Sequence, residues 1–366
     1  MYSEILRIIE GGLSNDRRKI YSYSTRLASR FEKEGDVQMA KSILAVLQSA
    51  TSQSATMDEL RYLPVDAESR MQIVEVIPEN TTRTNVILSP IVKAQLNDFI
   101  NLIEQQSKLE GLGMNIPRTL LLYGPPGCGK TSIAHYISEQ TRLPLVIARF
   151  DALVSSLLGS TAKNIRKVFE YAESAPCILF LDEFDAIAKA RDDAHEMGEL
   201  KRVINSLLQN IDAFPTSCVL IAATNHPELL DRAVWRRFQA IIEIDILSKE
   251  ENKELIRDIV DQFNCDFVED DKRLDMVATW MHGLSPSDIK TVIDKVKVQS
   301  VIQGTMSITI DKVLIEIFKL KEKTSEIDSL VLFLNEHGIS QTLIAEDTNL
   351  SLRQVKYIIS KSKKAK

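Results

Sequence analysis

The sequence of 366 residues lacks several features that would place it in a specialised class of protein. It has only four cysteines, which are Cys128, Cys177, Cys218 and Cys265. None stands in a C-x-x-C pair, so neither a disulfide framework nor a zinc site is implied. No apolar run approaches the roughly 18 residues of a membrane-spanning helix. The first residues lack the basic-then-apolar order of a signal peptide, so we expect a cytoplasmic protein.

A large charge of one sign is also absent, since the net charge is −6 and the pI is near 5.6. A protein that binds nucleic acid over most of its surface has a strongly basic balance, so that class is excluded and only a local basic patch is allowed. The hydrophobic fraction of 44% is ordinary for a globular protein. The length exceeds that of one compact core and predicts two or three domains.

The most informative stretch that is present runs from Gly124 to Thr131 and matches G-x-x-x-x-G-K-[ST]. An apolar run precedes it and helix-like apolar spacing follows it, so the context is strand, loop and helix. Glycines let the backbone approach phosphates, Lys130 neutralises their charge, and Thr131 offers an oxygen to Mg²⁺. The alternative is a glycine-rich turn with a chance lysine. The predicted phosphate-binding residues are Gly124, Pro125, Pro126, Gly127, Cys128, Gly129, Lys130, Thr131 and Ser132.

A second motif places two acids directly after an apolar run. Residues 177–181 are of buried-strand type, and Asp182 and Glu183 follow at the carboxyl end, where doubly wound sheets bind ligands. Asp182 is predicted to hold Mg²⁺ through water. Glu183 is predicted to orient and deprotonate the water that attacks the γ-phosphate of a nucleotide. The alternative is a solvated acidic turn.

Apolar runs alternate with helical spacing from 85 to 246, which predicts a parallel α/β unit with further strands at 145–148 and 218–223. Asn225 follows the last of these strands and is predicted to act as a polar sensor of the γ-phosphate or the attacking water. The predicted fold class is therefore an α/β P-loop NTPase sheet with a C-terminal helical lid, flanked by small all-α modules.

The predicted organisation of the chain has five parts. They are an N-terminal helical bundle over 1–50, a linker over 51–84, a large nucleotide-binding domain over 85–246, a helical lid over 247–322 and a helix-turn-helix-like segment over 323–366. The bundle has two interpretations, a module that recruits a partner and a packing extension of the nucleotide-binding core.

Residues 224–238 run from Thr-Asn-His-Pro to Arg236-Arg237-Phe, and here the chain resembles the AAA family of ATPases, with its TN-x-P…LD-x-A-x-x-RRF region. The resemblance covers about 85–322. It implies Mg²⁺-dependent ATP hydrolysis in a ring-like homo-oligomer, a hexamer, in which Arg236 and Arg237 reach the nucleotide of the adjacent subunit and raise the rate of hydrolysis. The alternative is two surface arginines in salt bridges.

Two stretches depart from the family pattern. Residues 283–289 resemble the turn that opens a lid helix near the adenine, but Pro286 and Ser287 replace the usual Gly-Ala. Members that thread polypeptides have an aromatic residue where this chain has Leu157, which favours remodelling or gating of a specific protein partner over processive unfolding. Chains of similar arrangement are sometimes accompanied by a subtilisin-like protease, a partner that only the resemblance implies.

Residues 341–359 have the spacing of a helix-turn-helix. Ala345 is small where two helices would cross, Asn349 suits a left-handed turn, and Ser351 suits the start of the second helix. The exposed side is predicted to present Arg353, Gln354, Lys356 and Tyr357. This face makes recruitment to DNA the alternative function, although small three-helix units also serve as docking pads and lysine tails are often only solvated. No predicted nucleotide-site residue lies beyond 323, so a chain ending there is predicted to keep its ATP hydrolysis.

Overall fold

The structure of the chain, a computed structural model, describes most residues from 72 onward. The described residues are 72–78, 85–112, 114, 118–149, 158–186, 197–215, 218–322 and 326–365, with isolated positions at 23, 24, 27, 30, 31, 38, 39, 41, 42 and 64. The predicted N-terminal bundle over 1–50 lies outside the described residues apart from those isolated positions. Leu157, on which the prediction about polypeptide threading depends, also lies outside them.

In the described residues a six-stranded sheet forms the centre of the large domain. Its strands are β1 (Val74–Ile77), β2 (Thr119–Tyr123), β3 (Leu145–Arg149), β4 (Ile178–Asp182), β5 (Val219–Thr224) and β6 (Ala240–Glu243). The order across the sheet is β1-β3-β4-β5-β2-β6, and every pair is parallel except β1 with β3. Parallel neighbours need crossover connections, usually helices, so this order confirms the predicted α/β class.

Helices cover both faces of the sheet. Those of the large domain are α1 (Pro90–Glu104), α2 (Gln106–Gly111), α3 (Lys130–Thr141), α4 (Leu158–Ala172), α5 (Met197–Ala213) and α6 (Arg232–Trp235). Side chains alternate along β2, so Leu120 and Leu122 pack with α1 and α3 while Leu121 packs with α4 and α5. All three leucines are fully buried, which explains why the strand that precedes the glycine-rich loop at 124–131 reads as an unbroken apolar run.

The edge strand β1 corrects one predicted boundary. The predicted linker over 51–84 is wrong over residues 74–77, because these pair in antiparallel register with β3, from Val74 opposite Ala148 to Ile77 opposite Leu145. Val74 is only 4% exposed and belongs to the apolar core shared with α4 and α5. Burial of apolar surface contributes about 25 cal/mol per Å², so even this short segment gains enough to join the sheet.

The lid follows β6 as a helical unit with its own core. It contains α7 (Lys249–Val260), β7 (Asn264–Cys265), α8 (Asp271–Trp280), α9 (Pro286–Ile302), β8 (Ser307–Ile308) and α10 (Ile310–Glu322). The apolar residues of the lid helices meet in this core, with Ile256 and Val260 from α7 in the same cluster as Ile289 and Val296 from α9. None of the helices in the described part of the chain is long and apolar enough to cross a membrane.

Three short helices form the C-terminal unit. They are α11 (Ile327–Glu336), α12 (Gln341–Thr348) and α13 (Leu352–Ala365). Val331, Ile344 and Val355 are fully buried in their shared core, and Leu314 of α10 completes it. Trp280 of α8 packs on the same cluster. The C-terminal unit therefore shares its core with the lid.

Candidate active site

The loop between β2 and α3 has the backbone of a phosphate cradle. Gly124 and Gly127 have φ angles of +145° and +76°, in the region that favours glycine. A Cβ atom on Gly124 would lie 1.9 Å from the carbonyl oxygen of Ile244, and one on Gly127 would lie 2.6 Å from Oγ of Ser285. Packing therefore demands glycine at both positions. The loop leads directly into the N-terminus of α3, where backbone N–H groups and the helix dipole favour an anion.

Lys130 begins α3 and turns its side chain back into the cradle. Its Nζ donates hydrogen bonds to the carbonyl oxygens of Gly124 and Pro125, both at 2.8 Å. The side chain is buried, and burial lowers the pKa of its ammonium group, while the nearby charges of Asp182 and Asp185 act in the opposite direction. Both acceptors are uncharged carbonyls, so the lysine charge remains available to a phosphate group.

The two predicted acids lie at the carboxyl end of β4. Asp182 accepts a hydrogen bond from Oγ1 of Thr131 at 3.1 Å, which joins the acid motif to the cradle. Its other oxygen accepts from the backbone N–H of Glu183 at 2.9 Å. Glu183 has a φ of +53°, a conformation that costs a non-glycine residue about 1–3 kcal/mol. The Glu183 side chain is exposed, and both it and Asp182 line the same cavity.

A buried carboxylate in the loop after β4 forms hydrogen bonds with the end of β5, where the predicted sensor Asn225 lies. Oδ1 of Asp185 accepts hydrogen bonds from Oγ1 of Thr224 at 3.1 Å and from the backbone N–H of Asn225 at 3.3 Å. Asp185 is 2% exposed, so these bonds form away from competing water. The hydroxyl of Thr224 in turn accepts from the N–H of His226 at 3.0 Å. Asp185 therefore fixes the predicted sensor relative to the predicted base.

These groups meet at a cavity of about 560 Å³ between the large domain and the lid. The predicted residues that line it are Pro126, Gly127, Cys128, Gly129, Lys130, Thr131, Ser132, Asp182, Glu183 and Asn225. Gly124 and Pro125 do not line the cavity, but their carbonyl oxygens accept the hydrogen bonds that hold Lys130 in place. Val86, Ile87, Leu255 and Ile259 add apolar surface of the kind that buries a nucleobase.

The lid contacts the cradle directly. The backbone N–H of Ser287 donates to the carbonyl oxygen of Gly127 at 3.2 Å. The predicted turn over 283–289 is confirmed as the start of α9, where Ser285 and Asp288 form a reciprocal capping box. Beside the same cavity, Nδ2 of Asn85 donates to Oδ1 of Asp258 on α7 at 2.9 Å. The cavity thus has walls from both domains.

Comparison with known proteins decides the family of this site. The description "ATPase family associated with various cellular activities (AAA)" matches residues 120–246, which contain the cradle, the acid pair and the sensor. A proteasome-activating nucleotidase of Methanococcus vannielii is 30% identical over 287 residues, which make up 74% of this chain and 69% of that protein. The chain belongs to the AAA family of ATPases.

Two further relatives show how far the likeness extends. An uncharacterised AAA family ATPase of Sinorhizobium fredii is 38% identical over 216 residues, 58% of this chain and 65% of the relative, so the chain spans just under two thirds of that protein. The ATP-dependent zinc metalloprotease FtsH 2 of Salinibacter ruber is 28% identical over 235 residues, only 34% of its length. The likeness therefore supports an AAA ATPase module and leaves much of each relative unmatched.

The arginine pair of this AAA ATPase lies outside the lining of its own cavity. Arg237 is held within its subunit, where Nη2 pairs with Oδ2 of Asp212 at 3.0 Å and Nη1 donates to the carbonyl oxygen of Ala233 at 2.6 Å. Arg236 is exposed, and its guanidinium has no hydrogen bond or ion pair to another described residue. Of the pair, Arg237 is therefore the arginine whose guanidinium is held within its own subunit, and Arg236 is the exposed one.

The donor atoms of the AAA site suit a magnesium ion. The Thr131 hydroxyl and the Asp182 carboxylate are in contact, and both supply the hard oxygen ligands that Mg²⁺ prefers. No group of three or more His, Cys, Asp or Glu side chains in the described residues is placed to hold a metal ion alone. Magnesium is usually bound by one or two carboxylates together with the phosphates of the substrate, so this donor set is sufficient.

Sequence reasoning missed three residues that the AAA fold places at the site. Asp185 belongs to the same Asp-Glu-Phe-Asp run as the acid pair, and that run was the available signal. Asp258 and Lys290 line the cavity from α7 and α9. No local pattern marks these two residues, because their place at the site follows from how the lid packs on the large domain.

Proposed function

We propose that this chain hydrolyses Mg²⁺-ATP at the interfaces between identical subunits of a ring and uses the cycle to remodel or gate a protein partner. The observation that carries the proposal is the convergence of Lys130, Glu183 and Asn225 on one cavity that the lid closes. The names of two relatives, a proteasome-activating nucleotidase and an ATP-dependent zinc metalloprotease, associate the module with work on proteins. The hexamer and the subtilisin-like partner stay predictions.

The cradle binds and orients the triphosphate. Lys130 exchanges its two carbonyl acceptors for phosphate oxygens, and these charge-assisted bonds are about twice as strong as neutral ones. Thr131 and Asp182 are the residues that hold Mg²⁺, which when bound stabilises negative charge on the phosphate oxygens. The apolar walls of the cavity, including Leu255 and Ile259, pack against the base.

Glu183 serves as the general base. Its carboxylate accepts a proton from the water whose oxygen attacks the γ-phosphorus, while the bond from that phosphorus to the leaving oxygen of ADP breaks. Asn225, at the end of the neighbouring strand, donates a hydrogen bond to the γ-phosphate or orients the attacking water. Asp185 keeps Asn225 in register with Glu183 through the bonds at the end of β5.

An arginine from a second subunit completes the site. In the described residues no arginine lines the cavity of its own chain, and Arg236 projects into solvent. An arginine finger raises the rate of phosphoryl transfer about 10³–10⁵-fold, so hydrolysis is expected to depend on assembly. The contacts between lid and cradle then connect the γ-phosphate to movement of the lid, which is how the cycle reaches a partner.

The substitution Glu183→Gln tests the assignment of the base. The amide keeps the size and shape of the side chain but does not take up a proton, so turnover is expected to fall about 10²–10⁴-fold while nucleotide binding persists. ATP hydrolysis and fluorescent nucleotide binding measure the two quantities separately. Glu173→Gln, at an exposed acid after α4, is the matched control and keeps parental activity. Parental turnover in Glu183→Gln would show that another group is the base.

Mixed subunits test the interface. Arg236→Ala keeps an intact base and Glu183→Gln keeps an intact arginine, so mixing the two inactive proteins is expected to restore part of the activity if Arg236 acts across the interface. The specific activity of the parent protein is also expected to rise with protein concentration. A protein that light scattering shows to be monomeric, with activity independent of concentration, contradicts the ring.

A further inference from the structure

The helices α12 and α13 form a helix-turn-helix with a defined turn. Asn349 ends α12 in the left-handed conformation, with a φ of +56°, as the sequence predicts. The N–H of Leu350 donates to the carbonyl oxygen of Ala345 at 3.1 Å, which closes the end of α12. Only residues 349–351 separate the two helices. This short turn fixes the angle between the helices without the help of a partner.

The start of α13 is capped by its own side chains. Oγ of Ser351 accepts from the N–H of Gln354 at 3.3 Å, and Oε1 of Gln354 accepts from the N–H of Ser351 at 2.9 Å. Gln354 was predicted to belong to the ligand-facing surface, and it is exposed. Its amide oxygen is nevertheless engaged in the cap, so other side chains of α13 must provide the main contacts to a ligand.

One face of α13 is buried and the opposite face is polar and exposed. Val355 and Ile359 are buried against α11 and α12. Arg353, Tyr357 and Ser360, at helical spacings of four and three residues, lie on the opposite side and are exposed, with Lys356 and Lys361 beside them. We call these five residues the basic face. Apart from Tyr357 it presents only basic and hydroxyl groups, and all of them except Ser360, whose hydroxyl donates to the carbonyl oxygen of Tyr357 at 2.8 Å, can donate hydrogen bonds to a ligand.

The C-terminal end of the chain is positively charged, whereas the chain as a whole is negatively charged. From Leu352 to Lys366 there are six basic residues and no acidic one, whereas the complete chain has a net charge of −6. Of the two acids on the neighbouring helix α12, Asp347 turns towards Asp311 of the lid and Glu346 is exposed. The positive charge is therefore concentrated on one helix.

We propose that the basic face of α13 binds double-stranded DNA in the major groove. An α-helix with its side chains is about 10–12 Å wide, and the major groove of B-form DNA is about 12 Å wide. The 14 residues of α13 span about 21 Å, enough to lie across the groove. Arg353 and Lys356, near the start of the helix, reach base edges, and Lys361 reaches the phosphates.

The charge of the basic face and the shape of the major groove favour duplex DNA over double-stranded RNA or a protein as the ligand. The deep, narrow major groove of double-stranded RNA does not admit side chains for reading bases. Protein interfaces are usually depleted in lysine and serine, and Lys356, Ser360 and Lys361 make up most of the basic face. Binding at this face goes beyond ATP hydrolysis, because none of its residues lines the nucleotide cavity.

The test measures fluorescence anisotropy of a labelled duplex of about 30 base pairs, roughly three helical turns, with the full-length protein. Binding of the duplex is expected to weaken steeply between about 50 mM and 200 mM salt. Arg353→Ala and Lys356→Ala are each expected to lower the affinity about 5- to 150-fold where the side chain reads a base. If Lys361 contacts a phosphate, Lys361→Ala lowers the slope of log affinity against log salt by about one.

The control variant is Lys272→Ala, which removes an exposed lysine from α8 of the lid and is expected to leave DNA binding unchanged. ATP hydrolysis is measured on every variant and is expected to stay at the parental rate, which separates this proposal from the proposed function. The proposal is overturned if no duplex binds at low salt, if binding survives Arg353→Ala and Lys356→Ala together, or if only single strands bind. A change of oligomeric state in these variants without DNA binding would instead identify α13 as a protein-docking helix.

Discussion

The side chain of Asp185, in the loop that follows β4 and contains the proposed base, is hydrogen-bonded to the end of β5, where the proposed sensor Asn225 lies. It accepts from Oγ1 of Thr224 and from the N–H of Asn225, and it is almost fully buried. Removing a buried acceptor leaves its donors unsatisfied, at a cost of about 1–3 kcal/mol for each group. The effect of losing this carboxylate should therefore appear at Asn225, for which we propose a part in the catalytic step, as well as in the stability of the fold.

Asp185→Ala is expected to lower kcat about tenfold or more, equivalent to about 1.4 kcal/mol of barrier, with a smaller change in KM. The reason is that Asn225 loses its fixed position, while the cradle loses only a nearby charge that acts on Lys130. Asp185→Asn keeps an acceptor oxygen and is expected to recover part of kcat. Steady-state ATP hydrolysis measures both parameters. Equal kcat values for the alanine and asparagine variants would indicate that Asp185 does not act by accepting these hydrogen bonds.

A half-buried acid, Asp347, makes the stability of the chain depend on pH. Burial, followed by the neighbouring charge of Asp311, raises the pKa of Asp347 to about 6 from its ordinary value of 3.8. The folded chain therefore binds this proton more tightly than the unfolded chain does. The free energy of unfolding accordingly falls as pH rises from about 4 to about 6, and the loss is complete above that range.

Asp347→Asn removes this penalty above about pH 6. The variant is expected to be more stable than the parent at about pH 7.5, by about 1 kcal/mol after allowance for solvent screening of a partly exposed group, and to lose the advantage near pH 4. Urea unfolding at both pH values measures the difference. Glu254→Gln, at an exposed acid on α7, is the control for the removal of one negative charge. An equal gain at both pH values would contradict the assignment.

At the scale of elements, the start of α9 connects the lid to the cradle. Ser285 caps this helix in a reciprocal box with Asp288, and in the same first turn the N–H of Ser287 donates to the carbonyl oxygen of Gly127. A second, separate capping box, Ser248 with Glu251, begins α7. Ser248 and Glu251 do not line the nucleotide cavity. A comparison of the two capping boxes therefore separates the effect of a cap on stability from its effect on nucleotide binding.

Ser285→Ala is expected to cost about 0.5–2 kcal/mol of stability and to raise KM for ATP several-fold, because α9 loses its fixed position beside Gly127. Ser248→Ala, the matched control, is expected to cost a similar amount of stability with little change in KM. Thermal unfolding and steady-state kinetics of the two variants provide the comparison. The same KM in both variants would show that the contact between α9 and the cradle does not influence nucleotide binding.

At the scale of the whole molecule, the lid and the C-terminal unit form one packed body. Leu314 of α10 lies in the core of the C-terminal unit, and the ring of Trp280 meets that of His337 with centroids 5.2 Å apart. Phe318 and Phe333 also pack across this junction, with centroids 5.1 Å apart. Because α13 belongs to this body, a movement of the lid during the ATP cycle also moves the basic face.

A chain that ends at Glu322 is therefore expected to be less stable than the full chain. Truncation exposes Leu314 and Phe318, at about 1.5–3 kcal/mol for each fully buried side chain. Initial ATP hydrolysis at low temperature is expected to persist, because the cavity residues remain, but thermal inactivation is expected to be faster. Lys356→Ala in the full chain is the control for loss of the basic face alone. Equal rates of inactivation for the truncated and full chains would argue against the shared core.

The sequence by itself determined those features that depend on neighbouring residues. The strands β4 and β5 are predicted to within one residue at each end, because buried parallel strands read as apolar runs and their carboxyl ends are marked by polar residues. The left-handed turn at Asn349 and the cap at Ser351 followed from the conformational preferences of single residues.

Tertiary structure alone decided the contacts between distant residues. The bond from Asn85 to Asp258 joins positions 173 residues apart, and the ion pair from Arg237 to Asp212 joins positions 25 apart on different elements. The same holds for β1 inside the predicted linker and for the core that the lid shares with the C-terminal unit. Such contacts form because apolar surfaces and polar groups find partners only after the elements have packed. A local pattern of residues contains no record of which partner that is.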